Sequence, residues 1–184
     1  MKSEKQSFLK RKNVIISFKR YGIDAMGSMA LGLFASLLIG TIINTIGQNV
    51  CPGSFVSGKL LEIGGYATSV TGAAMALAIG HALQAPPLVM YSLCAVGAAC
   101  NAIGGSGGPL AVFFVAVITC EIGKLVSKET KVDIIVTPAV TVIVGVVLAM
   151  LLAPVCKNVC DALGSFIGWA TDLKPFWLGT VSYT

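Results

Sequence analysis

The chain alternates between long apolar stretches and short polar segments. A helix needs about 20 predominantly apolar residues to cross the hydrocarbon core of a bilayer. Five stretches come close to that length, at residues 22–47, 63–83, 88–103, 110–126 and 134–155. The pattern predicts an all-α, polytopic integral membrane protein.

The segment at residues 157–184 fits two assignments. Charged residues interrupt it, and aromatic residues recur along it. Aromatic rings collect at the headgroup level, so an interfacial helix is one interpretation. The opening of a sixth span is the other, and we therefore predict five or six transmembrane helices. Because the last residues contain no polar stop, we expect the chain to be the N-terminal half of a longer transporter-like domain.

Charge divides the chain into two parts. The first 20 residues carry seven basic side chains and one acidic one, whereas the other 164 carry six basic and seven acidic ones. Basic residues next to a first span favour the cytoplasmic side and anionic lipid. We predict a basic cytoplasmic head at residues 1–21 and a membrane domain at residues 22–184. Nucleic acid is not expected as a partner, because no further basic or aromatic cluster follows.

This orientation is consistent along the chain. Four crossings from a cytoplasmic head return the next basic cluster, Lys124, Lys128 and Lys131, to the cytoplasmic side.

Small residues follow a helical repeat in two places. Gly72, Ala76 and Gly80 recur every four residues in the second span, and Gly164 and Gly168 repeat that spacing. Small residues let membrane helices approach closely, so we expect the second span to lie centrally in the bundle.

Glu121 is the most informative polar residue in the spans. It lies one turn before Lys124 in the fourth span. A carboxylate at this depth is costly and usually faces a cavity or a partner. It either pairs with Lys124 or Lys128 at the interface, or accepts a substrate hydroxyl proton as a general base.

Three other polar residues are predicted to lie at the depth of Glu121. His81 is the single histidine of the chain, Gln84 follows one turn later, and Asp24 begins the first span. A neutral imidazole donates, accepts or titrates near neutrality, although a lone histidine is often a packing residue. We predict a shared polar cavity with Glu121 and His81 as catalytic groups and Gln84 and Asp24 as substrate contacts.

A second group of candidate contacts lies toward the other face. It consists of Asn101 and the glycine-rich stretch Gly104, Gly105, Ser106 and Gly107. Such a break lines a ligand cavity in some transporters, while a tight helical hairpin is the alternative. No phosphate-loop lysine follows the glycines.

The six cysteines form no metal-binding pattern, and we predict neither a metal nor a cofactor. The topology places Cys51, Cys156 and Cys160 outside, where either a disulfide from Cys51 or free thiols are expected. No Ser-His-Asp set, paired hydrolase carboxylates or dinucleotide fingerprint is present.

Two segments resemble a known family. They are KRYGIDAMGSMALGLFASLLIGTIINTIG at residues 19–47 and GGSGGPLAVFFVAVITCEIGKLVSKETKVDIIVTPAVTVIVG at residues 104–145. Both are similar to enzyme IIC-like components of the phosphotransferase sugar system, a group that includes proteins labelled as perfringolysin toxin regulators. The resemblance implies a multi-pass protein of the bacterial inner membrane, a permease that binds and translocates a sugar, and a homodimer. It also implies a separate cytoplasmic IIB partner as phosphoryl donor.

Two alternatives to sugar transport stay open. One is a membrane-embedded regulator that binds a small molecule and signals through its basic head. The other is a non-phosphorylating, ion-coupled transporter for small polar solutes, with Glu121 and Asp24 as coupling groups.

Overall fold

The computed structural model describes residues 17–49, 54–127 and 132–173, with side chains up to residue 169. All regular elements in these ranges are helical. The predictions for the basic head, Cys51, Lys128 and Lys131 lie outside the described residues, apart from positions 17–21 of the head. The main helices are α1 (Lys19–Asn49), α2 (Phe55–Ser69), α3 (Thr71–Ala82), α4 (Pro87–Gly104), α5 (Gly108–Val126) and α6 (Asp133–Leu173).

Five helical segments cross the bundle in the part of the chain that the structure describes. By length and apolarity, Lys19–Asn49, Pro87–Val126 and Asp133–Trp169 qualify as membrane spans, and the bent pair of α2 and α3 makes a fourth. The stretch Pro87–Val126 folds back on itself at a 3-10 turn, Gly105–Gly107, and so crosses twice. The proof is that Val89 lies against Gly123, residues that a straight helix would hold about 50 Å apart. The predicted all-α membrane fold is confirmed.

The α4–α5 hairpin occupies the centre of the described bundle. Helix α6 packs against one side of it and α3 against the other, while the first half of α1 packs against the far side of α3. Gly72 and Gly97 bring the backbones of α3 and α4 together, since a Cβ built on either would lie 2.3 Å from the other's carbonyl oxygen. Ala76 is fully buried beside them. The second span is small-faced as predicted, and it packs between α1 and the α4–α5 hairpin.

The second crossing is longer than predicted and is bent. It begins at Phe55 rather than residue 63, because Ser54 caps α2 and Ser57 donates a buried hydrogen bond of 2.7 Å to the carbonyl of Gly47. These polar residues interrupt the apolar pattern without interrupting the helix. Helices α2 and α3 then meet at 42° around Val70.

The segment after residue 155 continues α6. The segment up to Leu173 is therefore not a separate helix, because Pro154 and the following polar residues do not end α6. Gly164 and Gly168 have no atom within 4 Å of a built Cβ, so the packing predicted for this pair is absent in the described chain. The cysteines of the described ranges are free thiols, Cys156 and Cys160 included.

Candidate functional site

The candidate site is built around an ion pair within α5. Lys124 Nζ donates a hydrogen bond of 2.9 Å to Glu121 Oε1 across one helical turn. The side chains of Lys124 and Glu121 are 1% and 16% exposed. The predicted pairing with Lys124 is thus present, but the pair is buried instead of lying at an exposed interface.

Close packing at Gly123 accounts for this burial. A Cβ at Gly123 would lie 2.7 Å from Val89 of α4 and 3.0 Å from Thr141 of α6. The glycine therefore lets both neighbouring helices approach α5 beside the ion pair. Because a buried charge is stable only with a partner, the lysine and the carboxylate fix each other's position.

The second carboxylate oxygen of Glu121 points to a binding role. Oε2 is buried and has no hydrogen-bond partner among the described residues. Buried polar atoms in folded proteins are nearly always paired, so this acceptor would be satisfied by a hydroxyl, either that of Tyr21, which lies beside the carboxylate, or that of a ligand.

Helix α1 brings two more polar residues to this end of the bundle. The Tyr21 side chain lies beside the Glu121 carboxylate. Arg20 donates a hydrogen bond of 2.5 Å to the carbonyl of Leu83 and so ties α1 to the end of α3. Both residues belong to a π-helical segment, Lys19–Asp24, a distortion that is frequent at functional sites.

The predicted residues His81, Gln84 and Asp24 lie at the same end of the bundle as Glu121. His81 is in the last turn of α3, Gln84 follows it, and Asp24 is near the start of α1. All three are exposed. Gln84 also has a structural task, since its φ of 55° forms the tight turn before Pro87.

The second predicted group lies elsewhere. Gly107 is 14 residues from Glu121 along α5, which corresponds to about 21 Å. Asn101 packs against Gly72 and Gly108, and a Cβ on Gly107 would lie 2.6 Å from the backbone of Cys156. One small ligand cannot contact both groups.

The hairpin turn accounts for the conformation and the contacts of the glycine-rich stretch. Gly105 has a φ of 50°, Gly104 and Gly107 are buried, and Ser106 donates a hydrogen bond of 2.7 Å to Asp161. Of the two interpretations of this stretch, the structure therefore favours the tight helical hairpin.

Sequence reasoning did not assign Arg20, Tyr21 or a buried Lys124 to the site. The three-residue spacing of Glu121 and Lys124 was visible, but burial depends on the packing at Gly123. Among the described residues, no three His, Cys, Asp or Glu side chains come together as a metal site would require.

Comparison with known proteins identifies the family. The family model described as "Phosphotransferase system, EIIC" matches residues 23–181. No curated protein and no solved structure matches the chain. The match extends over most of the chain and confirms the resemblance seen at residues 19–47 and 104–145. The chain therefore belongs to the EIIC family of the phosphotransferase system, whose members are membrane components for sugars that work with a cytoplasmic IIB partner.

Proposed function

We propose that this chain binds a sugar at the Glu121 end of the bundle and presents one hydroxyl to a separate IIB protein. The observation that supports this most directly is the buried Glu121 Oε2 without a hydrogen-bond partner. Its sister oxygen is held by Lys124, so the free oxygen has a defined direction. A hydroxyl is the natural donor to such an acceptor.

The positive-inside rule places this end at the cytoplasmic face. Lys19, Arg20 and Lys124 all lie there, while the half of the bundle toward the opposite end contributes Lys59, Glu62, Lys157 and Asp161. A phosphoryl donor in the cytoplasm would then meet the sugar next to Glu121. This orientation also fits a bacterial inner-membrane protein with a cytoplasmic N-terminus.

In the proposed reaction, Glu121 Oε2 accepts a hydrogen bond from the sugar hydroxyl. The hydroxyl oxygen attacks phosphorus, a new P–O bond forms, and the bond from phosphorus to the IIB side chain breaks. The hydroxyl proton passes to Glu121. Positioning and charge stabilisation supply most of the rate in phosphoryl transfer, and a positioned base adds about 10²–10⁴.

The other proposed sugar contacts lie at the same end of the bundle. We propose that His81 and Gln84, at the end of α3, and Asp24, near the start of α1, supply further hydrogen bonds to the sugar. Lys124 acts as a positioning residue, because it contacts Glu121 and is itself screened from solvent. Asn101 and the Gly104–Gly107 stretch shape the distant turn and are not included in this sugar site.

The test is phosphoenolpyruvate-dependent phosphorylation of a panel of labelled sugars. Inverted vesicles that hold the protein would be mixed with a cytosolic extract, and Glu121→Gln would be compared with the unaltered chain. We expect at least a hundredfold lower rate with a smaller loss of sugar binding. The matched control is Glu62→Gln, since Glu62 likewise pairs with a lysine three residues away in a span but is exposed. Retained phosphorylation in Glu121→Gln would remove this residue from the role.

The same vesicles separate the alternatives. A regulator would bind a ligand saturably without turnover. An ion-coupled transporter would take up solute without phosphoenolpyruvate and would stop when the membrane potential is collapsed. Either result with correctly inserted protein would overturn the phosphorylating function.

A further inference from the structure

An apolar groove runs between α1 and α5 on the outside of the bundle. Its volume is about 470 Å³. The residues that carry the argument are Phe18, Gly22 and Met26 from α1, and Phe114, Val117 and Ile118 from α5. No side chain from another described helix lines it. We call this feature the α1–α5 groove.

The α1–α5 groove has the shape of a slot parallel to the helices. Phe18 and Met26 lie eight residues apart, or about 12 Å along the axis of α1. Phe18 is 88% exposed and Met26 is 51% exposed, and Phe114 and Ile118 are also exposed. The groove therefore opens to the surroundings of the bundle, which in a membrane domain are lipid chains.

Positive charge lies at one end of the slot. Phe18 and Tyr21 line the groove on either side of Lys19 and Arg20, and Lys19 is exposed. In the sequence, Lys10, Arg11 and Lys12 come shortly before. Basic residues beside a gap between membrane helices attract anionic headgroups, and each basic residue near the surface contributes about 1 kcal/mol.

We infer that the α1–α5 groove is a binding site for an anionic phospholipid. One acyl chain lies in the slot, and the phosphate-bearing headgroup lies beside Lys19 at the end of α1. Apolar walls and a basic end match the two halves of such a lipid. This site adjoins the proposed sugar site at Tyr21, which lines the groove and lies beside Glu121, but Glu121 itself does not line the groove.

The substitution Gly22→Leu is expected to close the groove. A Cβ added there would meet only the ring of Phe18, at 3.5 Å, so the helix tolerates a side chain. A leucine would extend into the slot and displace the acyl chain. The matched control is Gly27→Leu in the same helix, since no atom lies within 4 Å of a Cβ at Gly27 and Gly27 does not line the groove.

The experiment is native mass spectrometry of the delipidated chain titrated with phosphatidylglycerol or phosphatidylcholine. We expect one tightly retained phosphatidylglycerol, at least tenfold weaker retention in Gly22→Leu, and unchanged retention in Gly27→Leu. Lys19→Gln should lower the preference for phosphatidylglycerol about fivefold and leave phosphatidylcholine unaffected. Circular dichroism and size-exclusion chromatography would show that each variant is folded.

Three outcomes would overturn the inference. Equal retention of the two lipids would mean non-selective boundary lipid. Retention that survives Gly22→Leu would place the lipid elsewhere. A dimer that Gly22→Leu dissociates, without bound lipid, would make the groove a contact between copies of the chain.

A second measurement is independent of Gly22. In Phe114→Trp, with Trp169 and Trp177 replaced by phenylalanine, the new indole would report on the groove by its fluorescence. Phosphatidylglycerol with brominated acyl chains should quench it more strongly than brominated phosphatidylcholine does. Equal quenching by the two lipids would again contradict a selective site.

Discussion

Glu62 and Glu121 each form an ion pair with a lysine three residues away in the same helix, and each lies near a tyrosine. Lys59 and Glu62 are 57% and 46% exposed, at a distance of 2.8 Å. Lys124 and Glu121 have nearly the same geometry, at 2.9 Å, but are almost fully enclosed. The sequence shows the spacing of both pairs equally well. Only the approach of α4 and α6 at Gly123 distinguishes the buried pair.

This difference predicts different costs of breaking the two pairs. Lys124→Met should lower the free energy of unfolding by about 3–5 kcal/mol, because it leaves a buried carboxylate without its partner. The same change at Lys59 should have a much smaller effect, since an exposed pair is screened by solvent. Thermal unfolding in detergent would measure both.

A double-mutant cycle provides the control. Combining Lys124→Met with Glu121→Gln removes both charges, so the double variant should be more stable than the sum of the single losses predicts. The cycle at Lys59 and Glu62 should be close to additive. Additive losses at Glu121 and Lys124 would contradict a coupled, buried ion pair.

At the scale of elements, the turn between α4 and α5 shows where sequence reasoning succeeds and where it stops. The five-residue run of Gly and Ser predicted a break, and the structure has one at Gly105–Gly107. Whether the glycines bind a ligand or shape the turn was open. The φ of 50° at Gly105 and the close approach of Gly107 to the backbone of α6 favour a structural role for the glycines in the turn.

A pair of alanine variants tests this assignment. Gly105→Ala should destabilise the protein by about 1–3 kcal/mol, because side chains with a Cβ rarely adopt this backbone conformation. Gly104→Ala should have little effect, since Gly104 is helical and its Cβ would meet Ala111 and Ala153 at ordinary contact distances of 3.5 and 3.8 Å.

Sugar affinity decides between the two functions of the turn. In the folded fraction of Gly105→Ala, we expect the KM for the sugar to equal that of the unaltered chain. A large rise in KM without loss of stability would instead show that the glycine stretch contacts the sugar.

At the scale of the whole molecule, apolar length predicts which segments cross the bundle but not where they end. Crossings three and four were placed within about two residues of the observed helices α4 and α5. The predicted start of the second crossing lies eight residues after the observed start of α2, and the predicted end of the fifth lies 18 residues before the observed end of α6. In both places polar side chains such as Ser57 and Asp161 find hydrogen-bond partners, so the helix continues where the hydropathy falls.

Three crossings, α4, α5 and the first part of α6, separate His81 from Lys157. The two residues should therefore lie on opposite sides of the membrane, and the side of each can be tested. We expect a cysteine in place of His81 to face the cytoplasm and one in place of Lys157 to face outward, because the basic residues Lys19, Arg20 and Lys124 cluster at the His81 end. In a cysteine-free background, an impermeant maleimide added to intact cells should label Lys157→Cys and not His81→Cys. Inverted vesicles should give the reverse. Labelling of both positions from one side would require an even number of crossings between residues 81 and 157, and would contradict the arrangement of α4, α5 and α6 on which the sugar site depends.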